Sequence, residues 1–324
     1  MKLMINLHLE QEAVVAGCVT EDQKSRIQAV SENVDITVPG TVEERAVEMP
    51  DTEVIFGNFN PSMFSLAKSL RWVQSVGAGV DGILFDDFVK SDIVFTSAKG
   101  QVGTHLADHA WGLLLALTRG IARSVREKTA KSQYSIRAES WELGGKTLGV
   151  LGLGGTGVEV ARRAQGFGMR VIATDTEEVE KPSFVEELWP ADRFYDVLEA
   201  SDIVAICLPL TPKTRGLFDR KAFSRMRSHA LLINVTRGGI MDGPSLMEAL
   251  ENRTIGGAGL DVTPEEPLPE DSPLWNMSNV VVTPHTAGGS PERFDRMVDL
   301  LCANLGRYLK GESLLSVIDK EKGY

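Results

Sequence analysis

The stretch Gly152-Leu153-Gly154-Gly155-Thr156-Gly157 constrains the fold more than any other, because a G-x-G-x-x-G turn needs a strand before it and a helix after it. Lys146–Leu151 reads as that buried strand. Val158–Phe167 places Val160, Ala164 and Phe167 on one helical face. In this setting the first glycine allows the tight turn, the second lets backbone approach a pyrophosphate, and the third lets helix and strand pack closely. The helix N-terminus then faces the anion. The next strand, Met169–Thr174, ends in Asp175, near the spacing of about 20 residues expected for a carboxylate that binds a ribose 2'-hydroxyl. Glu177, Glu178 and Glu180 follow it, so a 2'-phosphate would meet acidic ground, and NAD(H) is expected over NADP(H).

The turn begins near the middle of a 324-residue chain, a length that suggests two domains. Before it, apolar runs at Leu3–Leu9, Val34–Val38, Val54–Phe56, Trp72–Val76 and Ile93–Thr96 alternate with helical patterns such as Asp22–Val30. After it come runs at Ile203–Leu208, Leu231–Val235, Gly257–Val262 and Val280–Thr283. This alternation predicts an α/β protein of two doubly wound domains. Leu106–Leu117 is apolar nearly all round and is expected as a buried helix, crossing between domains or joining two subunits. Arg293–Leu309 reads as a last helix. No fixed-period repeat or low-complexity tract interrupts the pattern.

Composition removes several function classes. A net charge of −11 argues against a nucleic-acid surface, so an anionic substrate would have to be attracted by groups inside a cleft. Cys18, Cys207 and Cys302 are scattered, with no C-x-x-C pair and no zinc-ligand spacing, which points to a reducing cytoplasm and to no metal. No apolar stretch is long enough for a membrane span, and Met1–His8 reads as a first strand, not a secretory segment.

Ligands of open α/β sheets bind outside the carboxyl ends of the strands. Four polar residues follow such ends: Arg237 after Leu231–Thr236, Asp261 after Gly257–Leu260, Glu266 in the next loop, and His285 after Val280–Pro284. Each alone has a structural explanation; together they suggest an acid–base site with an anion clamp. Reduction of a 2-oxo acid by NADH needs a hydride, a proton for the carbonyl oxygen, and a positive group for the carboxylate. Histidine is suited to deliver the proton, with a carboxylate on its other ring nitrogen, which makes His285 and Glu266 the expected pair. Arg237 offers a planar fork for the carboxylate. In Val76-Gly77-Ala78-Gly79-Val80-Asp81, glycines flank Ala78, so backbone N–H groups could turn toward an anion.

These motifs, with Leu208-Pro209-Leu210-Thr211-Pro212-Lys213-Thr214 and Asn234-Val235-Thr236-Arg237-Gly238-Gly239, occur in an order that resembles NAD-dependent D-isomer-specific 2-hydroxyacid dehydrogenases over essentially the whole chain. The resemblance implies a flavodoxin-like substrate domain built from residues 1–99 and 290–324, and a Rossmann NAD-binding domain inserted at 100–289. It implies Arg237, Glu266 and His285 as catalytic residues, with Gly77, Ala78, Gly79 and Arg237 binding a small anionic 2-oxo or 2-hydroxy acid. Cofactor contacts are implied at Thr104, Gly152, Gly154, Gly155, Thr156, Gly157, Asp175, Leu208, Pro209, Val235, Thr236 and Asp261, and a homodimer through the helix after Asp108. Glu266 speaks against formate dehydrogenases, which carry Gln there, and no C-terminal regulatory domain of the kind often found in 3-phosphoglycerate enzymes is expected. Glu266–Trp275 is similar to glyoxylate and hydroxypyruvate reductases. Phe56–Asn60, Ala78 and Trp275 are expected to shape the pocket. Trp141 is left open between a neighbouring subunit's site and hinge packing. One departure is that Gly155 and Thr156 are both small, so pyrophosphate binding would lean on backbone amides and the helix end. A D-3-phosphoglycerate or bulkier 2-oxo acid dehydrogenase is the alternative within the class. An NAD-sensing, corepressor-like interaction protein is the alternative outside it, and an S-adenosylmethionine enzyme would leave Arg237, Glu266 and His285 without work.

Overall fold

Short apolar runs separated by helices pair as parallel strands in two sheets. A computed structural model describes residues 1–7, 19–127 and 133–324. In chain order the first sheet has β1 (Lys2–Asn6), β2 (Asp35–Thr37), β3 (Val54–Gly57), β4 (Trp72–Gln74) and β5 (Val94–Thr96), arranged β2-β1-β3-β4-β5. That is the flavodoxin-like order, all parallel. Leu3, Met4, Ile5, Val54, Ile55 and Phe56 are fully buried, as strands covered on both faces must be. Helix Pro291–Leu309 belongs to the same unit and buries Met297, Val298, Leu301 and Leu305. Its Asn304 Nδ2 donates to Gln74 Oε1 at 3.0 Å.

The second sheet contains β6 (Thr147–Leu151), β7 (Arg170–Asp175), β8 (Glu187–Pro190), β9 (Ile203–Ile206), β10 (Leu231–Asn234), β11 (Gly257–Leu260) and β12 (Val280–Val282). Their order is β12-β11-β10-β9-β6-β7-β8, the doubly wound dinucleotide-binding arrangement with one added strand. The order reverses between β6 and β9, whose register pairs Leu151 with Ile206. Residues Met1–Gln101 with Ser290–Tyr324 form one compact unit, and Val102–Gly289 form the other.

Several elements differ from the sequence reading. Most strands end one or two residues early. The expected run to Leu9, and Cys18, reach outside the described residues. β8 is unforeseen because Glu-Leu-Trp-Pro is a half-exposed edge strand with little apolar signal. The helix after the glycine turn begins at Gly155, since the glycines themselves form its first turn, and ends at Ala164. Phe167 stays 38% exposed and stacks on Trp111 at 4.5 Å between ring centroids. Helix Gly103–Thr118 is buried on one face only: Ala107, Ala110, Trp111, Leu113 and Leu114 are inside, Leu106, Leu115 and Leu117 are half-buried, and Thr104, Asp108 and Gly112 are exposed. No helix of the described residues is long and apolar enough to cross a membrane.

Candidate active site

The glycine turn stands at the carboxyl end of β6, beside the reversal of strand order. A Cβ on Gly157 would overlap the carbonyl oxygen of Gly152, so only glycine lets helix Gly155–Ala164 start this close to the strand. Gly154 is exposed with open space where a side chain would project, and no side chain caps the helix it begins. The uncapped helix amides and the open backbone fit a pyrophosphate. Asp175 closes the rim: its Oδ2 accepts from Leu153 N–H at 2.7 Å and its Oδ1 from Glu177 N–H at 2.9 Å. Glu177, Glu178 and Glu180 are exposed beyond it. Leu208 and Pro209 follow β9, which Cys207 N–H ties to Leu151 O at 2.8 Å. Val235 is buried after β10, and Thr236 N–H donates to Asn234 Oδ1 at 3.0 Å. Thr104 lies exposed in the first turn of its helix, its carbonyl accepting from Arg163 at 3.2 Å.

The residues expected to form the acid–base site lie after the ends of β10, β11 and β12. His285 Nδ1 lies 2.9 Å from Glu266 Oε2, and Glu266 Oε1 accepts from Thr263 N–H at 3.0 Å, which fixes the carboxylate in its loop. The side chain of His285 is 50% exposed, with Nε2 as the ring nitrogen not used by Glu266. Its backbone is left-handed at φ 53°, a region His enters more readily than bulky residues do. The His285 N–H anchors that conformation on Asp261 O at 2.8 Å and Thr283 O at 3.0 Å. Arg237 is half-buried, with Nη1 donating to the Thr236 carbonyl at 2.9 Å. A Cβ on the next residue, Gly238, would overlap the Thr263 carbonyl oxygen, so the Arg237 turn rests directly on the loop that holds Glu266.

Asp261 has a role that sequence reasoning missed. It is 1% exposed, and its carboxylate accepts from Thr283 Oγ1 at 2.6 Å, Thr286 N–H at 2.9 Å and Ala287 N–H at 2.9 Å. It therefore ties down the chain on both sides of His285. His109 Nε2 reaches the same cluster, 2.7 Å from Thr283 Oγ1 and 3.3 Å from Asp261 Oδ1. The sequence signal for this was weak, His109 being one of two histidines in the first half of a largely apolar helix.

In the other unit, the Gly77 N–H of the loop after β4 donates to Ser75 Oγ at 3.1 Å. Ala78 is half-buried and Gly79 is exposed in this turn. Phe56 and Phe59 are core residues, contrary to the expectation that they shape a pocket: Phe59 packs edge-on against Phe88 at 5.0 Å, and Asn60 caps helix Pro61–Leu66. Trp275 is 38% exposed, and its Nε1 donates to Pro269 O at 2.9 Å. Trp141 packs on the core of its own unit.

Comparison with known proteins gives the same family from several directions. Residues 111–287 match the family described as D-isomer specific 2-hydroxyacid dehydrogenase, NAD binding domain. The chain is 36% identical over 266 residues to a glyoxylate reductase of Korarchaeum cryptofilum, covering 80% of this chain and 79% of that one. It is 31% identical over 313 residues to a D-3-phosphoglycerate dehydrogenase of Methanocaldococcus jannaschii, covering 94% of this chain and 59% of that one. An NADPH-dependent glyoxylate/hydroxypyruvate reductase from Sinorhizobium meliloti, solved with NADP and sulfate, superposes with a TM-score of 0.81 at 25% identity, covering 100% of this chain and 99% of the other.

Proposed function

Because this chain belongs to the D-isomer-specific 2-hydroxyacid dehydrogenase family, we propose that it reduces a small 2-oxo acid, glyoxylate or hydroxypyruvate, to the D-2-hydroxy acid with NADH. The observation that carries this reading is the 2.9 Å contact between His285 and Glu266. Bound NADH supplies the hydride. His285, protonated, donates from Nε2 to the carbonyl oxygen, and Glu266 on Nδ1 orients the ring and stabilises the imidazolium. Arg237 pairs with the substrate carboxylate and polarises the carbonyl. To the Ala78 and Gly79 amides, presented by the turn at Gly77, we give the role of holding a substrate anion, and to Met1–Gln101 with Ser290–Tyr324 the role of substrate domain.

The cofactor is assigned to Gly152–Gly157, with Thr104, Leu208, Pro209, Val235 and Thr236 around it and Asp261 at the nicotinamide end. Asp175 accepts the ribose hydroxyls, and its charge, with Glu177 and Glu178 behind, favours NADH over NADPH. We assign the part of helix Gly103–Thr118 after Asp108 to a homodimer contact. The test is NADH oxidation with glyoxylate, hydroxypyruvate, pyruvate, 3-phosphohydroxypyruvate, phenylpyruvate and 2-oxoisocaproate, repeated with NADPH and with His285→Ala. Turnover of a small oxo acid with NADH, falling about 10²–10⁴-fold in His285→Ala, is expected. Preference for the phosphorylated substrate would move the chain to the 3-phosphoglycerate branch, and an active His285→Ala protein would remove the acid role.

A further inference from the structure

The chain of hydrogen bonds behind His285 fixes more than its immediate partners. Asp261 is a carboxylate whose oxygens only accept, and Thr283 Oγ1 lies 2.6 Å from Asp261 Oδ1. The single hydroxyl proton of Thr283 is therefore committed to Asp261. His109 Nε2, 2.7 Å from the same Thr283 oxygen, must then be the donor in that contact. Nε2 of His109 therefore carries a proton, with Asp261 Oδ1 a further 3.3 Å acceptor beside it.

We propose that His109 is a positioning residue for the acid His285. It locks the Thr283 rotor so that Asp261 keeps its full set of donors and holds the left-handed backbone of His285 between Thr283 and Thr286. The inference rests on the acid role given to His285 above. Three observations support it. Asp261 is almost wholly buried, so water is a poor substitute for a lost donor. It grips Thr286 and Ala287 directly after His285, and its own carbonyl takes the His285 N–H. His109 comes from helix Gly103–Thr118, an element that carries none of the other residues of the cluster, and it reaches that cluster through its contacts to Thr283 and Asp261. The neighbouring Asp108 is used differently, pairing with Arg163 at 2.9 Å on the surface.

The experiment compares His109→Leu, which removes the donor, with His109→Gln, which carries an N–H at nearly the same reach. For His109→Leu, kcat falls about 10–100-fold, the scale of a misplaced reacting group, and His109→Gln recovers most of it while both keep a wild-type thermal unfolding midpoint within a few degrees. Wild-type kcat in His109→Leu, or equal losses in the two variants, would overturn the proposal. A second readout does not depend on turnover. The chain has five histidines, so ¹⁵N-histidine spectra can be assigned by single substitutions, and a neutral His109 is expected as the Nε2–H form. An Nδ1–H form at His109 overturns the inference. If His285→Ala keeps its turnover, the function proposed for His285 has failed, and the tautomer alone then judges the hydrogen-bond chain.

Discussion

Two histidine–carboxylate pairs sit at opposite ends of the same sheet. At the amino end, His229 Nε2 lies 2.8 Å from Asp202 Oδ1; at the carboxyl end, His285 Nδ1 lies 2.9 Å from Glu266 Oε2. The distances are nearly equal and the surroundings are not. The Asp202 side chain is 10% exposed and also accepts from Arg227 at 2.9 Å and from Thr147 N–H at 2.8 Å, which ties β6, β9 and β10 together at their starts. The Glu266 side chain is 36% exposed, and its partner histidine is held in a left-handed turn with one ring nitrogen turned away from the carboxylate. A saturated, cation-paired carboxylate is a clasp. A histidine ordered by one carboxylate at the strand end where ligands bind suits the acid role proposed for His285. The pair does not determine its job; the remaining lone pairs and ring atoms do.

Substitutions at the two ends should separate these jobs. The largest effect is expected from Glu266→Gln, which keeps a hydrogen-bonding group but removes the charge. In steady-state assays kcat falls about 10²-fold, while the unfolding midpoint stays at the wild-type value. Asp202→Ala should do the reverse, keeping kcat and losing about 1–3 kcal/mol in denaturant unfolding, because the buried Thr147 N–H loses its acceptor. The effect carries a pH signature. Burial pushes the Asp202 carboxyl up, but the bonds from His229, the Thr147 N–H and Arg227 outweigh it and hold it below the usual carboxylate range. Its folded value is below its unfolded one, so its contribution is complete above about pH 4 and is lost as pH falls through the folded value. Wild type and Asp202→Ala should therefore converge in stability in acid. The smallest effect belongs to His229→Gln: with its side chain 58% exposed, it should cost at most about 1 kcal/mol and leave kcat unchanged.

How much of this was legible in the sequence depends on the range of the signal. The glycine turn, Asp175 and the strand-end positions of Arg237, Glu266 and His285 could be read because each is set by neighbours a few residues away. The same holds for the alternation that gave two parallel sheets. The missed features are long-range. The link from His109 to Thr283 spans 174 residues, and nothing in either segment marks the other. Gly238 reads as half of an ordinary glycine pair until Thr263 is seen against it. Helix Gly103–Thr118 misled for another reason: composition reports how apolar a helix is but not which of its faces is covered. Phe56 and Phe59, expected to shape the pocket, are instead buried in the core, which depends on partners distant in sequence such as Phe88 and Phe294.

The way the chain threads its two units has a consequence for inheritance. The glycine turn, Asp175, Arg237, Asp261, Glu266 and His285, together with His109, all fall within the uninterrupted stretch Val102–Gly289, whereas the other unit is assembled from both chain ends. A recombination event needs only two breakpoints, near Gln101 and Ser290, to carry the whole of that apparatus into a different outer unit in one piece. These residues and the sheet that spaces them would then descend as one cassette, while the flanking segments diverge on their own schedule.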